Sequence, residues 1–199
     1  MQFLLRISKL IDGLNNFVGR SVMWLVLVVV FISSLNAISR KLFHVSSNAW
    51  LELQWYLFGA IFLLAGGYTL LKNAHVRVDV VANMLSEKKQ IAIEIFCTIF
   101  FLMPAALIVL YFSWPVFIDS YVSGEVSSNY GGLIRWPAKL LIPIGFTLLI
   151  LAGISHLIKC VGFLMGVSPN PTRNLQSKTA EEKLAEEIAV RAEIKTAKK

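Results

Sequence analysis

Four apolar stretches, each long enough to cross a bilayer, occupy most of this 199-residue chain. They fix the solvent in which every other residue must be read. They run roughly from Phe17 to Ile38, Ala49 to Leu71, Ile91 to Phe112 and Leu140 to Met165, each near the length of about 20 residues that a transmembrane helix needs. Backbone amides find no water in hydrocarbon, so a spanning segment satisfies them within a helix or a closed barrel. Runs such as Leu25 to Ile32 lack the apolar and polar alternation of a barrel strand. The predicted fold is therefore all-α, an integral membrane bundle of four transmembrane helices. Composition agrees, since 56% hydrophobic residues and a mean hydropathy of +0.67 exceed what one soluble core of this size can hide.

The net charge of +7 does not point to nucleic acid, because the basic residues border apolar spans instead of forming one stripe on a folded domain. Fifteen Lys and Arg lie on the N-terminal arm, the loop between the second and third spans, and the C-terminal end. The other face has four: Arg40, Lys41, Arg135 and Lys139. By the positive-inside rule both termini are expected in the cytoplasm. Trp50, Trp55, Trp114 and Trp136 fall near the opposite, outer interface, where an indole buries its ring and keeps its N–H wet. The first span is read as a retained anchor, because Ser33 to Ser39 offers no convincing small-residue cleavage site. Neither Cys97 nor Cys160 sits in a spacing or compartment that suggests a disulfide or a zinc site.

The connections carry their own signals. Asp79 is a plausible N-cap for a short interfacial helix over Val80 to Leu85, and Ser86 for the third span, with Glu87 at its positive end. Ser123 to Leu133 is rich in turn residues, and Pro137 suits the first turn of the last helix. After Pro169 and Pro171 the chain becomes a charged tail, in which Thr179 to Glu182 matches a capping box for a tail helix. The expected division is a cytoplasmic arm at 1–16, a four-helix membrane domain at 17–169 and a cytoplasmic tail at 170–199.

Few residues offer chemistry. Glu52 and Gln54 enter the second span two positions apart, so a helix points them to different faces and they form no chelating pair. Trp55 and Tyr56 share the face of Glu52 and are expected to shield it. A carboxylate at that depth must face protein or water. His75, Arg77 and Asp79 alternate beside a membrane interface, which suits a cap, a lipid-phosphate contact and a salt bridge. A haem bridging His75 and His156 would need both at one depth, and their positions differ. There is no phosphate-binding loop, no G-x-S-x-G elbow and no H-E-x-x-H zinc helix. Neither an enzyme nor a cofactor protein is indicated.

Glu52-Leu-Gln-Trp-Tyr-Leu-Phe58, then Gly67-Tyr68, His75-Val-Arg-Val-Asp-Val80 and Gly131-Gly-Leu-Ile-Arg-Trp-Pro-Ala-Lys-Leu-Leu-Ile-Pro-Ile-Gly-Phe146 together resemble the small permease subunit of tripartite ATP-independent periplasmic (TRAP) transporters, over about residues 16 to 165. That resemblance implies a non-catalytic subunit in the bacterial inner membrane. Its implied partners are a large permease subunit, a periplasmic solute-binding receptor and membrane phospholipids. It implies packing beside the large subunit's scaffold during sodium-coupled import of an organic anion. Candidate subunit-interface or lipid-headgroup residues are Glu52, Gln54, Trp55, His75, Arg77, Asp79, Arg135, Trp136 and Lys139. Two other readings fit a four-helix protein of this size: the membrane anchor of a haem or quinone oxidoreductase, and a self-sufficient small transporter.

Overall fold

The computed structural model describes residues 1–44, 47–73 and 85–171, and the remarks below concern these. Four helices are long and apolar enough to cross a membrane: α1 (Gln2–Phe43), α2 (Asn48–Leu71), α3 (Glu87–Val122) and α4 (Trp136–Leu164). Asp79, the interfacial helix expected after it and the tail helix lie outside the described residues.

The first helix is far longer than expected. It runs 42 residues without a break, about 63 Å at the 1.5 Å rise of an α-helix, and it takes in the arm predicted at 1–16. The arm is helical because it has packing partners. Ser8, Asn15, Gly19 and Val22 are buried along one face, and an antiparallel seam joins that face to α4. Met1 and Leu5 lie beside Gly162, Ser8 hydrogen-bonds Ser155 at 2.7 Å, and Asn15 and the Leu148 carbonyl meet at Gly67 of α2. Seven residues forward on α1 are seven back on α4, the spacing of left-handed antiparallel packing.

The last helix is the hub. α4 packs on α1, α2 and α3, and it buries a row of small groups that includes Gly145, Ala152, Ser155 and Cys160. Small residues let helix backbones approach where lipid supplies no hydrophobic push. At Gly145 a Cβ would stand 2.7 Å from the Leu63 carbonyl oxygen of α2. α3 sits apart from that cluster, packing on α4, and it exposes much of its surface, including Phe100, Phe101, Tyr111 and Phe112.

α3 is not one regular helix. Thr98–Leu102 forms a π-helical turn, with the Met103 N–H donating to the Thr98 carbonyl. Pro104 follows immediately. Its ring has no N–H to give the Phe100 carbonyl and would crowd it in a regular α-turn, and the wider turn relieves both problems. The widened turn also meets the notch in α4, where a Cβ on Gly153 would stand 2.7 Å from Met103 and 3.1 Å from Leu102. Pro137 opens α4 as expected, while Ser86 stands at the N-cap of α3 with Glu87 in its first turn.

Candidate functional site

Both ends of the bundle are tied by charged groups, and the end opposite the N-terminus carries the most ordered set. There α3 hands over to α4 through Ser123–Arg135, a closed loop. Gly124 and Gly131 adopt φ of 61° and 68°, a region that side chains disfavour. An isolated antiparallel bridge pairs Val126, after the first glycine, with Ile134, after the second. The Ser127 N–H donates to the Leu133 carbonyl at 3.0 Å and the Arg135 N–H to the Glu125 carbonyl at 2.9 Å.

Glu52 pins this loop to α2. Its Oε1 accepts from the Ser127 hydroxyl and, at 2.8 Å, from the Asn129 amide; its Oε2 accepts from the Leu133 N–H at 2.7 Å. The residue is only 4% exposed. A charge so placed needs full hydrogen bonding, and the loop supplies it. Gly132 passes so close that a Cβ there would stand 2.9 Å from the carboxylate. Asn48, at the start of α2, adds a bond to the Tyr130 carbonyl at 2.9 Å.

Glu125 closes the loop's other side. It accepts from Ser120 at 2.7 Å and pairs with Lys139 and, at 3.4 Å, with Arg135. The Lys139 ammonium, then the Ser120 hydroxyl, hold its carboxyl below the usual carboxylate range. Trp136 stands edge-on to Tyr121 with ring centroids 5.5 Å apart. The loop thus presents a hydrogen-bonded surface on which Tyr130 is 97% exposed and Val126 and Ile134 about half exposed.

Three further acidic and basic contacts lie toward the other end. Lys159 pairs with Asp12 at 2.5 Å, Asp12 also accepts from Ser155 at 2.6 Å, and His156 meets Glu94 at 3.4 Å, with the Cys160 thiol 3.5 Å from the same ring. The two contacts of Asp12 fasten α4 to α1, and the His156–Glu94 contact fastens α4 to α3.

Of the residues singled out from sequence, Glu52, Arg135, Trp136 and Lys139 gather at the loop. Gln54 lies on another face of α2, as its spacing required, and lines a groove against α1. Trp55 does not shield Glu52. It is 68% exposed, and the cover comes from the loop more than seventy residues on, because three donors there satisfy the charge as an indole could not. His75, Arg77 and Asp79 lie outside the described residues. Sequence reasoning missed Asp12, Glu94 and Glu125 as ties. Ser8, Asp12 and Asn15 recur on one helical face with Gly19, and the assumed start at Phe17 cut off the three polar members of that seam.

The fold and these ties define a multi-span membrane protein in which the polar groups bind helix to helix and loop to helix. The profile of the family described as tripartite ATP-independent periplasmic transporters, DctQ component, matches residues 26–162. The chain belongs to that family: it is the small membrane subunit of a TRAP transporter, a non-catalytic, multi-pass inner-membrane component of an assembly with a large permease and a solute-binding receptor. No curated protein and no solved structure matches it.

Proposed function

We propose that this subunit is a passive framework, beside which the large permease carries an organic anion inward, coupled to sodium. Both termini lie in the cytoplasm, the Ser123–Arg135 loop faces the periplasm, and the charged segment 170–199 is a cytoplasmic tail. The loop and the exposed Trp55 meet the large subunit, and the loop's exposed tip helps to seat the receptor. His75, Arg77 and Asp79 fix the cytoplasmic connection.

One observation carries the reading. Among the described residues, each acidic side chain buried or half-buried along the helices is bound to another element of the same chain: Asp12 to Lys159, Glu52 to the loop, Glu94 to His156. Carboxylates inside a membrane normally mark ion paths or substrate sites. These are spent on holding helices together. The oxidoreductase-anchor reading gains nothing, since His156 faces Glu94 and Cys160 in a site less than a tenth exposed.

Copurification and uptake test the proposal. Glu52→Ala and Arg77→Ala variants of the tagged subunit are expected to retain less large subunit and to lower receptor-dependent uptake in proportion. Unchanged assembly and uptake for both would reject these roles. An impermeant maleimide is expected to label Tyr130→Cys from the periplasm and Lys9→Cys only after permeabilisation; the reverse would invert the topology.

A further inference from the structure

Four Lys and Arg sit at the loop end, and they are not used alike. Arg135 and Lys139 are both taken by Glu125. Arg40 and Lys41 have no ion pair among the described residues, and both line the groove between α1 and α2. That groove is open along one side and has a volume of about 430 Å³. Near the opposite ends of their apolar spans the two helices touch, with Gly19 against Tyr68, and the same antiparallel register brings Ser33 level with Gln54 and Asn36 level with Leu51.

The groove's chemistry is one-sided. Arg40, Lys41, Asn36, Ser33 and Gln54 all bring donors, and no acidic residue lines it. The side-chain nitrogen of Gln54 is buried without a hydrogen-bond partner, a state that native proteins seldom leave uncompensated. From Ser33 to Lys41 the groove follows α1 for about 12 Å, ending where both helices leave their apolar spans. On neighbouring faces of α1, Leu35, Ile38 and Leu42 are half exposed or more.

We propose that this groove binds the headgroup of an anionic phospholipid. Arg40 and Lys41 balance the phosphate charge, Asn36 and Gln54 donate to its oxygens, and the acyl chains lie along the apolar flank of α1. A lipid fits better than one carboxylate of a partner helix because the donors stand where both helices leave their apolar spans, with the exposed Leu35, Ile38 and Leu42 alongside to take acyl chains. The proposal rests on the chain spanning a membrane, and it stands apart from the passive-framework reading.

The test is native mass spectrometry of the purified full chain, titrated separately with phosphatidylglycerol, phosphatidylcholine and inorganic phosphate. Phosphatidylglycerol is expected to be retained about tenfold better than phosphatidylcholine. The Arg40→Gln/Lys41→Gln double variant should lose that preference, Gln54→Leu should weaken it, and Arg6→Gln/Lys9→Gln, at the far end of α1, should keep it. If the double variant fails to fold, the wild-type lipid comparison and Gln54→Leu decide. Equal retention of the two lipids would overturn the proposal, as would undiminished phosphatidylglycerol binding by the double variant. So would inorganic phosphate competing at the lipid's own concentration, which would mark a free-phosphate site. Unchanged lipid binding with loss of the large subunit from the double variant would reassign the groove to an acidic partner helix.

Discussion

Glu52 is a buried charge satisfied by neutral donors, and that makes it more demanding than a salt bridge. Removing the carboxylate strands a hydroxyl, an amide and a backbone N–H, and buried donors left without acceptors are costly. Glu52→Ala is therefore expected to release the Ser123–Arg135 loop, with limited proteolysis there at least several-fold faster than in the wild type. Glu52→Gln, which keeps an acceptor oxygen, should fall between; equal cleavage of all three would remove Glu52 as the pin. Glu125 gives a pH test. Lys139 lowers its carboxyl below the ordinary value of 4.5, so its contribution is complete above that value and disappears as pH falls through the lowered one. The loop should stay closed throughout the range above 4.5, and Lys139→Met should move the acid transition, followed by Trp136 fluorescence, upward. An unmoved midpoint would contradict the assignment. Sequence placed Glu52, Arg135 and Lys139 among the residues of interest, and the turn-rich composition of Ser123 to Leu133 foretold a loop. What stayed hidden was the pairing, because hydrogen bonds across 75 to 81 positions leave no periodicity to read.

At the level of helices, apolar length and the Pro and Ser signals at helix starts were enough to find four spans and to place the beginnings of α3 and α4. Two features escaped. The extension of α1 to Gln2 depends on polar contacts with Ser155 and Lys159, which an apolar criterion discards, and the π-turn before Pro104 follows from a local clash that hydropathy does not register. The hub role of α4 had a signal in its row of small residues. Packing at those residues can be measured. Gly145→Ala would push a methyl toward backbone of α2 that cannot swing aside, and is expected to cost about 1–3 kcal/mol. Gly66→Ala, on an open face of α2, should instead gain about 0.5–1 kcal/mol from helix propensity. Reversible unfolding in mixed micelles reads both, and a cost at Gly66 equal to that at Gly145 would argue against the packing described.

Taken whole, the molecule is a three-helix cluster with α3 appended through α4, and apolar rings cover the outward faces of α1 and α3. Such a surface suits lipid on one side and a larger membrane partner on the other. Family membership supplies that partner, while among the described residues Asp12, Glu52 and Glu94 serve as internal ties, as the proposed passive framework requires. The measurement that bears most directly on this is sodium-driven uptake of labelled dicarboxylates, sugar acids and 2-oxo acids into proteoliposomes. Vesicles holding this subunit alone should accumulate none of them, and uptake should begin only when the large permease and the receptor are added. Sodium-dependent accumulation of any of these acids by the subunit alone would contradict a passive framework.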